Sequence, residues 1–331
     1  MYKRILLAID DDDASRRALK EAARLTKSTG AVLKVLHVVC ESIEDASYAP
    51  SIYYSKVTAA QRRAGEEVLT DAGEALRLEG VECERQLSEV IGISEAQEIV
   101  RQAQGWPADL IVMGTHGRRG LSRLLMGSNA ETVLRTSSAP VLLVRNQFID
   151  AKQPSVSTAG SYGRVLVAVD GSEPSLKGLV LALDYAQSVG AQVKAVYVLN
   201  ILIPDGSAAP SICYEPLLLK LRREAAEVIA SVKGRGAARD MTIEAETVET
   251  VGGRTADAIL DAAKGWHADV IVMGTHGRRG MRRVTVGSDA EDVVRASTVP
   301  VLLTRQDGEV DTAPREPVFS AAPTAFGSPR R

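Results

Sequence analysis

Two segments of this chain are nearly identical. Ala108–Gly120 returns as Ala268–Gly280 with a single difference, Leu110 against Val270. The same offset of 160 residues aligns Asp10 with Asp170, Trp106 with Trp266, and Gly127-Ser128 with Gly287-Ser288. The chain is therefore a tandem duplication, and 331 residues give each copy the length of an ordinary domain. The best-preserved segment is a run of Gly, Thr, His and Arg. Core positions tolerate swaps of similar volume, so packing gives no reason for such a run to stay fixed. Function is expected in that loop.

Each copy alternates short apolar runs with helical stretches. In the first, strands are expected at Arg4–Ile9, Ala31–Val39, Val81–Ser88, Asp109–Met113 and Val141–Val144. Helices are expected from Asp13 to Thr29, then at Val57–Glu79, Ile93–Gln104 and Ser128–Thr136. Gly30 and Gly80 end the first two. The second copy repeats the order at Arg164–Val169, Leu176–Val189, Gln192–Leu199, Pro216–Val232, Thr242–Val248, Thr255–Ala263, Asp269–Met273, Ser288–Ala296 and Val301–Leu303. Continuous apolar strands alternating with helices predict an α/β fold, a parallel sheet doubly wound by helices. The expected domains are residues 1–147 and 162–306, with 148–161 an exposed linker and 307–331 a disordered tail rich in Pro and Ala.

Composition excludes several classes. A net charge of −2 gives no general attraction to nucleic acid or to an anionic membrane. No apolar run approaches the ~18 residues a membrane helix needs. Three cysteines, Cys40, Cys83 and Cys213, lie far apart and are odd in number. They read as reduced thiols, with Cys40 and Cys213 taken as buried and structural. A cytoplasmic protein is expected.

Gly114, Gly117 and Gly120 follow a buried strand, and Gly127-Ser128 opens a helix. Glycines admit close backbone approach, and the first N–H groups of a helix favour an anion. Ser128 adds a hydroxyl, and Arg118, Arg119 and Arg123 add permanent positive charge suited to phosphate. The pattern describes a phosphate cradle, present twice. It is not a P-loop, because no G-x-x-x-x-G-K-[ST] occurs, and a dinucleotide fingerprint would follow the first strand rather than the fourth.

At these residues the chain resembles the universal stress protein family. Its motif G-x2-G-x9-G-[ST] is met by Gly114, Gly117, Gly127 and Ser128, and again by Gly274, Gly277, Gly287 and Ser288. Both copies also open with an apolar strand ending in Asp and close with Pro-Val-Leu-Leu-x-Arg (Pro140–Arg145 and Pro300–Arg305). The resemblance implies two flavodoxin-like domains, each a five-stranded parallel sheet of order 3-2-1-4-5, with ATP at the carboxyl ends of strands one and four. It implies that Ala8, Asp10 and Val38 line adenine and ribose. Met113, Gly114 and Gly117 would border ribose and the first phosphates, and Gly127, Ser128 and Asn129 would hold the outer phosphates, with Arg118 nearby. The second copy offers Ala168, Asp170, Val198, Met273, Gly274, Gly277, Arg278, Gly287, Ser288 and Asp289. Family members often pair two domains through the last strand, and here the two repeats are expected to pair within one chain, with a further homodimer open.

The copies differ at the site. Asp10–Asp13 stands where the second copy has Asp170-Gly171-Ser172-Glu173, and Asn129 stands where it has Asp289. The acidic run reads as helix capping plus solvated charge. His116 and His276 read as backbone-bonding loop residues, His37 and His267 as structural, and Trp106 and Trp266 as packing beneath the sheet. No Ser-His-Asp order, H-E-x-x-H or C-x-x-C is present. The expectation is a non-catalytic regulator that binds ATP with its Mg²⁺ and reports to a protein partner, the bound nucleotide ordering the loops Arg118–Met126 and Arg278–Val286. A slow Mg-dependent ATP hydrolase or phosphotransferase using Asp10 or Asp170, and a nucleotide-free scaffold, are the alternatives.

Overall fold

The computed structural model describes residues 2–41, 51–115, 126–145, 160–201, 214–277 and 286–306, with only the backbone at 41, 51–58 and 214. The first repeat forms β1 (Arg4–Ala8), α1 (Asp13–Thr29), β2 (Val32–Glu41), α2 (Ser51–Leu78), β3 (Cys83–Ile91), α3 (Glu95–Gly105), β4 (Leu110–Gly114), α4 (Ser128–Thr136) and β5 (Val141–Val144). The second forms β6 (Arg164–Ala168), α5 (Glu173–Val189), β7 (Gln192–Ile201), α6 (Tyr214–Ala237), β8 (Glu244–Val251), α7 (Thr255–Gly265), β9 (Val270–Gly274), α8 (Ser288–Ala296) and β10 (Val301–Thr304).

Local chemistry sets the boundaries. Asp12 caps α1 by accepting from the Ser15 N–H at 2.7 Å, and Gly30 ends it at φ +69°. Ser172 and Gly190 do the same for α5, which starts three residues earlier than the periodicity suggests because Pro174 fits its first turn. Ser94 and Gln97 form a reciprocal capping box on α3. The helix α6 continues through Gly234 and Gly236, beyond the expected end at Val232. There Ile243 packs so tightly on Gly236 that a side chain would have no room.

Each half has the expected strand order 3-2-1-4-5, all parallel. The halves are not separate five-stranded sheets. β5 and β10 pair antiparallel, so one ten-stranded sheet runs β3-β2-β1-β4-β5-β10-β9-β6-β7-β8. Leu142 pairs with Leu302, its own equivalent, which places a local twofold axis between them. The physical reason for the fusion is that β5 is short and wholly buried, and its free edge would leave ladder groups unpaired. The expected intramolecular pairing is thus a backbone ladder.

Two apolar layers flank the sheet and cross the seam without a break. One packs α1, α2, α5 and α6 against Ile5, Leu7, Val35, Val165 and Val167. The other packs α3, α4, α7 and α8 against Leu6, Ala8, Leu36, Leu166 and Ala168. Across the seam, the Tyr162 hydroxyl donates to Glu21 Oε2 at 2.8 Å, and Arg24 lies over the Tyr162 ring. Arg305 donates to the Leu134 carbonyl in the last turn of α4. The outer strands β3 and β8 carry charge on their exposed sides, with Arg62–Glu89 and Arg222–Glu249 pairs at equivalent places. Such charge blunts a sheet edge.

Candidate functional site

In both halves the strand order reverses between the first and fourth strands, and the helices that follow them leave to opposite faces. Open α/β sheets form their ligand crevice at that point, beyond the carboxyl ends of the strands. Ala8 is in register with Met113 and with Leu36, so β1 and β4 set Ala8 beside Met113, with Val38 two residues beyond Leu36 on β2. Ala8, Val38 and Met113 are all buried on the α3/α4 side, as Ala168 and Met273 are on the α7/α8 side, where Val198 is half-buried.

Gly114 and Gly274 are packing positions as well as candidate site residues. A Cβ on Gly114 would stand 2.8 Å from Ala14 Cβ and 3.3 Å from the Ser15 nitrogen. On Gly274 it would stand 2.9 Å from Pro174 Cβ and 3.1 Å from the Ser175 nitrogen. These glycines let the ends of β4 and β9 lie against the first turns of α1 and α5; the space beside them is filled by protein. Gly277 packs similarly on Asp170, whose Oδ2 is 2.8 Å from the Cβ position. Gly127 and Gly287 donate their N–H groups to Thr115 and Thr275, at 2.7 and 2.9 Å. That bond turns the chain into α4 and α8.

Both helices then start without a side-chain cap. Ser128 and Ser288 are exposed at the first helical position. Uncapped N–H groups, a helix dipole and an exposed hydroxyl form an anion-accepting surface. Gly117, Arg118, Arg119, His116 and Arg123, with Arg278 and Arg279 of the second copy, lie outside the described residues. His276 Nδ1 is 3.2 Å from Thr275 Oγ1.

The acidic run is accounted for locally. Asp10 Oδ1 accepts from the Asp11 N–H at 2.9 Å, Asp12 caps α1, and Asp11 and Asp13 pair with exposed Arg16. Burial, aided by the Asp10 charge, holds the Asp12 carboxyl above the usual range. Asp170 accepts from the Ser172 N–H at 3.0 Å and its hydroxyl at 2.6 Å. Among the described residues no group of three or more His, Cys, Asp or Glu could hold a metal. His37 is structural: its Nδ1 donates to the Ile9 carbonyl at 2.8 Å, and Gly65 of α2 packs on the ring. Trp106 joins the α3/α4 layer near Arg4 and Lys34, at the strands' amino ends and away from the crevice. Cys40 is half-buried, not fully buried as expected; its thiol donates to the Ile93 carbonyl.

The sequence reading missed an exchange. In the first repeat, the Asn129 amide donates to Glu95. In the second, Thr255, the equivalent of Glu95, donates to Asp289, the equivalent of Asn129. One carboxylate serves each pair, but it moves from α3 in the first repeat to the anion-accepting turn of α8 in the second. Partial burial, then the Asp170 charge, holds the Asp289 carboxyl above its ordinary value. The 160-residue offset shows both differences, Glu95 against Thr255 and Asn129 against Asp289, but not that they touch.

The fold and its two crevices define a duplicated, doubly wound α/β protein that presents a helix N-terminus at each switch point. Comparison with known proteins gives the family. The universal stress protein family matches residues 1–145 and again 161–305, and the chain belongs to it. A universal stress protein of Bacillus subtilis is 32% identical over 152 residues, covering 44% of this chain and 100% of its own. One from Mycobacterium tuberculosis is 27% identical over 277 residues, 83% of this chain and 87% of its own. The crystal structure of a universal stress protein from Archaeoglobus fulgidus has the same fold. Its TM-score is 0.62 at 21% identity, over 91% of this chain and 98% of that one.

Proposed function

We propose that this chain is a nucleotide-dependent regulator that binds ATP in each repeat and performs no chemistry of its own. The observation that carries the reading is the pair of uncapped helix starts at Ser128 and Ser288, both set at strand-order reversals beside Ala8–Met113 and its equivalent. An apolar floor next to an anion-accepting turn suits a nucleotide, with base and phosphates satisfied by different ends of one crevice. Mg²⁺ would arrive with the triphosphate and neutralise part of its charge, since the described residues offer no cluster to hold it alone. Asp10 and Asp170 are spent on their own turns, which disfavours either as a general base.

Regulation follows from linkage. ATP shifts the chain toward whichever state binds it better, by no more than the difference in affinity, and a protein partner reads that state. Among the described residues no helix is long and apolar enough to cross a membrane, and we place the protein in the cytoplasm. The test is to denature the purified protein, identify released nucleotide by chromatography, and then measure ATP, ADP and GTP uptake by equilibrium dialysis with and without Mg²⁺. Adenine nucleotide in the extract or micromolar ATP uptake supports the reading. Neither in the extract nor in dialysis, at millimolar ATP, overturns it in favour of a scaffold. Stoichiometric conversion of ATP to ADP during dialysis overturns the non-catalytic part.

A further inference from the structure

The seam between the repeats holds a cleft on the α1/α5 face of the sheet. Leu142 and Leu302, the pair on the local twofold axis, both line it. The second repeat contributes more of the wall, with Val165 and Val270 from the sheet and Leu181 from α5. The two valines stand where the first repeat has Ile5 and Leu110, so each leaves out one methylene. Leu181 stands where the first repeat has Glu21. The enclosed part admits little more than one water-sized sphere, and its lining is almost wholly apolar. An ordered water needs about two to four polar partners, so the cleft holds one poorly.

Three tyrosines border the cleft, Tyr2, Tyr162 and Tyr185. Two are engaged: the Tyr162 hydroxyl donates to Glu21 Oε2, and the Tyr185 hydroxyl accepts from the Tyr162 N–H, each at 2.8 Å. Tyr2 is the first-repeat equivalent of Tyr162. The local twofold sets it against position 181, and Leu181 can accept nothing. Tyr2 is only 7% exposed, and its hydroxyl makes no hydrogen bond among the described residues. Burial, then the Asp109 charge, holds its phenol above the ordinary value, so it stays a neutral donor. A buried donor almost always has a partner, and here the protein supplies none on the side where the cleft lies.

We propose that the seam cleft binds a small uncharged molecule of a few heavy atoms, apolar except for one hydrogen-bond acceptor, such as a short-chain ketone. Its oxygen accepts from the Tyr2 hydroxyl, and its carbon chain lies against Val165, Leu181 and Val270. Both repeats line the cleft, so an occupant stabilises the joined form of the two halves. The cleft residues belong to the α1/α5 layer, whereas Ala8 and Met113 belong to the layer on the other face. The site therefore stands or falls independently of the nucleotide reading.

The test is a titration of full-length, methyl-labelled protein with 2-butanone and, separately, with xenon, which is apolar and offers no acceptor. Binding is read by NMR at the methyl groups of Leu142, Leu181 and Leu302. Wild type should show saturable shifts with both probes, in the millimolar range for 2-butanone. Tyr2→Phe keeps the ring and removes the donor; 2-butanone should weaken about tenfold while xenon stays within about twofold. Val165→Ile/Val270→Leu installs the first repeat's own residues and should abolish the saturable shifts with both probes, its urea midpoint showing that it folds. Wild-type shifts that never saturate, or saturable shifts that persist in Val165→Ile/Val270→Leu, overturn the site. Equal 2-butanone affinity in wild type and Tyr2→Phe overturns the role of the hydroxyl and with it the ligand class.

Discussion

Glu98 is fully buried on α3, and burial alone would raise its pKa. Hydrogen bonds outweigh that. Arg101 donates twice, at 2.6 and 2.7 Å, and Ser88 and Gln102 each donate at 2.6 Å. Together they hold the carboxyl at about 2 instead of 4.5. At ~1.4 kcal/mol per tenfold, that difference is worth about 3 kcal/mol of folding stability. The Arg101 side chain is 65% exposed, so solvent screens its share, and about 2–3 kcal/mol is the working figure. Because the folded pKa lies below the unfolded one, this stability is fully present above the ordinary carboxylate pKa. It is lost as pH falls from there through about 2. Glu98→Gln keeps the shape and removes the charge, so urea unfolding at pH 7 should show a loss of about 2–3 kcal/mol. The gap between wild type and variant should close as the pH is lowered from 5 toward 2. A midpoint shift below about 0.5 kcal/mol at pH 7, or a gap indifferent to pH, would refute the reasoning. The network has no counterpart in the second repeat, where position 258 is Ala, so hydrogen exchange should speed up in α3 more than in α7.

Other consequences are sharp enough to measure. Gly274→Ala drives a methyl into Pro174 and the Ser175 nitrogen and should cost about 1–3 kcal/mol by urea unfolding, with no need for ligand to reveal it. Tyr162→Phe leaves half-buried Glu21 without its 2.8 Å donor across the seam; thermal unfolding should report about 1–3 kcal/mol, and hydrogen exchange should localise the loss at α1 and β6. The raised Asp289 pKa means its charge disfavours an anion at neutral pH and disappears earlier than that of an ordinary aspartate as pH falls. ATP affinity at the second site should therefore rise on acidification, and Asp289→Asn should raise it at pH 7 by severalfold and flatten the pH profile. Calorimetry across pH decides this, and an unchanged profile in the variant removes Asp289 from the site.

Much of the fold was legible because its signals are local. The apolar runs of β1, β4 and β5, the Gly30 and Gly190 stops, and the 160-residue offset each point to the same alternating architecture. The fusion of two sheets into one was readable only through the family's habit of pairing last strands, because Val141–Val144 looks alike whether its outer edge meets solvent or β10. At the site, the glycines were visible and the packing role of two of them was not. Gly114 and Gly274 meet α1 and α5, contacts about a hundred residues away in sequence, so only tertiary structure distinguishes close packing from close ligand approach. The exchange of carboxylate between Glu95/Asn129 and Thr255/Asp289 was hidden for the same reason: each half looks like an unrelated substitution until α3 is set beside α4. Buried Glu98 was missed because a lone glutamate in an amphipathic helix normally faces water.

The central claim, one nucleotide site per repeat, is tested most directly by counting. ATP with Mg²⁺ is titrated calorimetrically into wild type, Gly127→Val and Gly287→Val. A Cβ at Gly287 would meet the Thr275 carbonyl at 2.9 Å, so each substitution should disable its own helix start. The expected result is two ATP per chain in wild type and one in each variant, with the second site the weaker at neutral pH. A wild-type stoichiometry of one, or two sites that survive both substitutions, would contradict it.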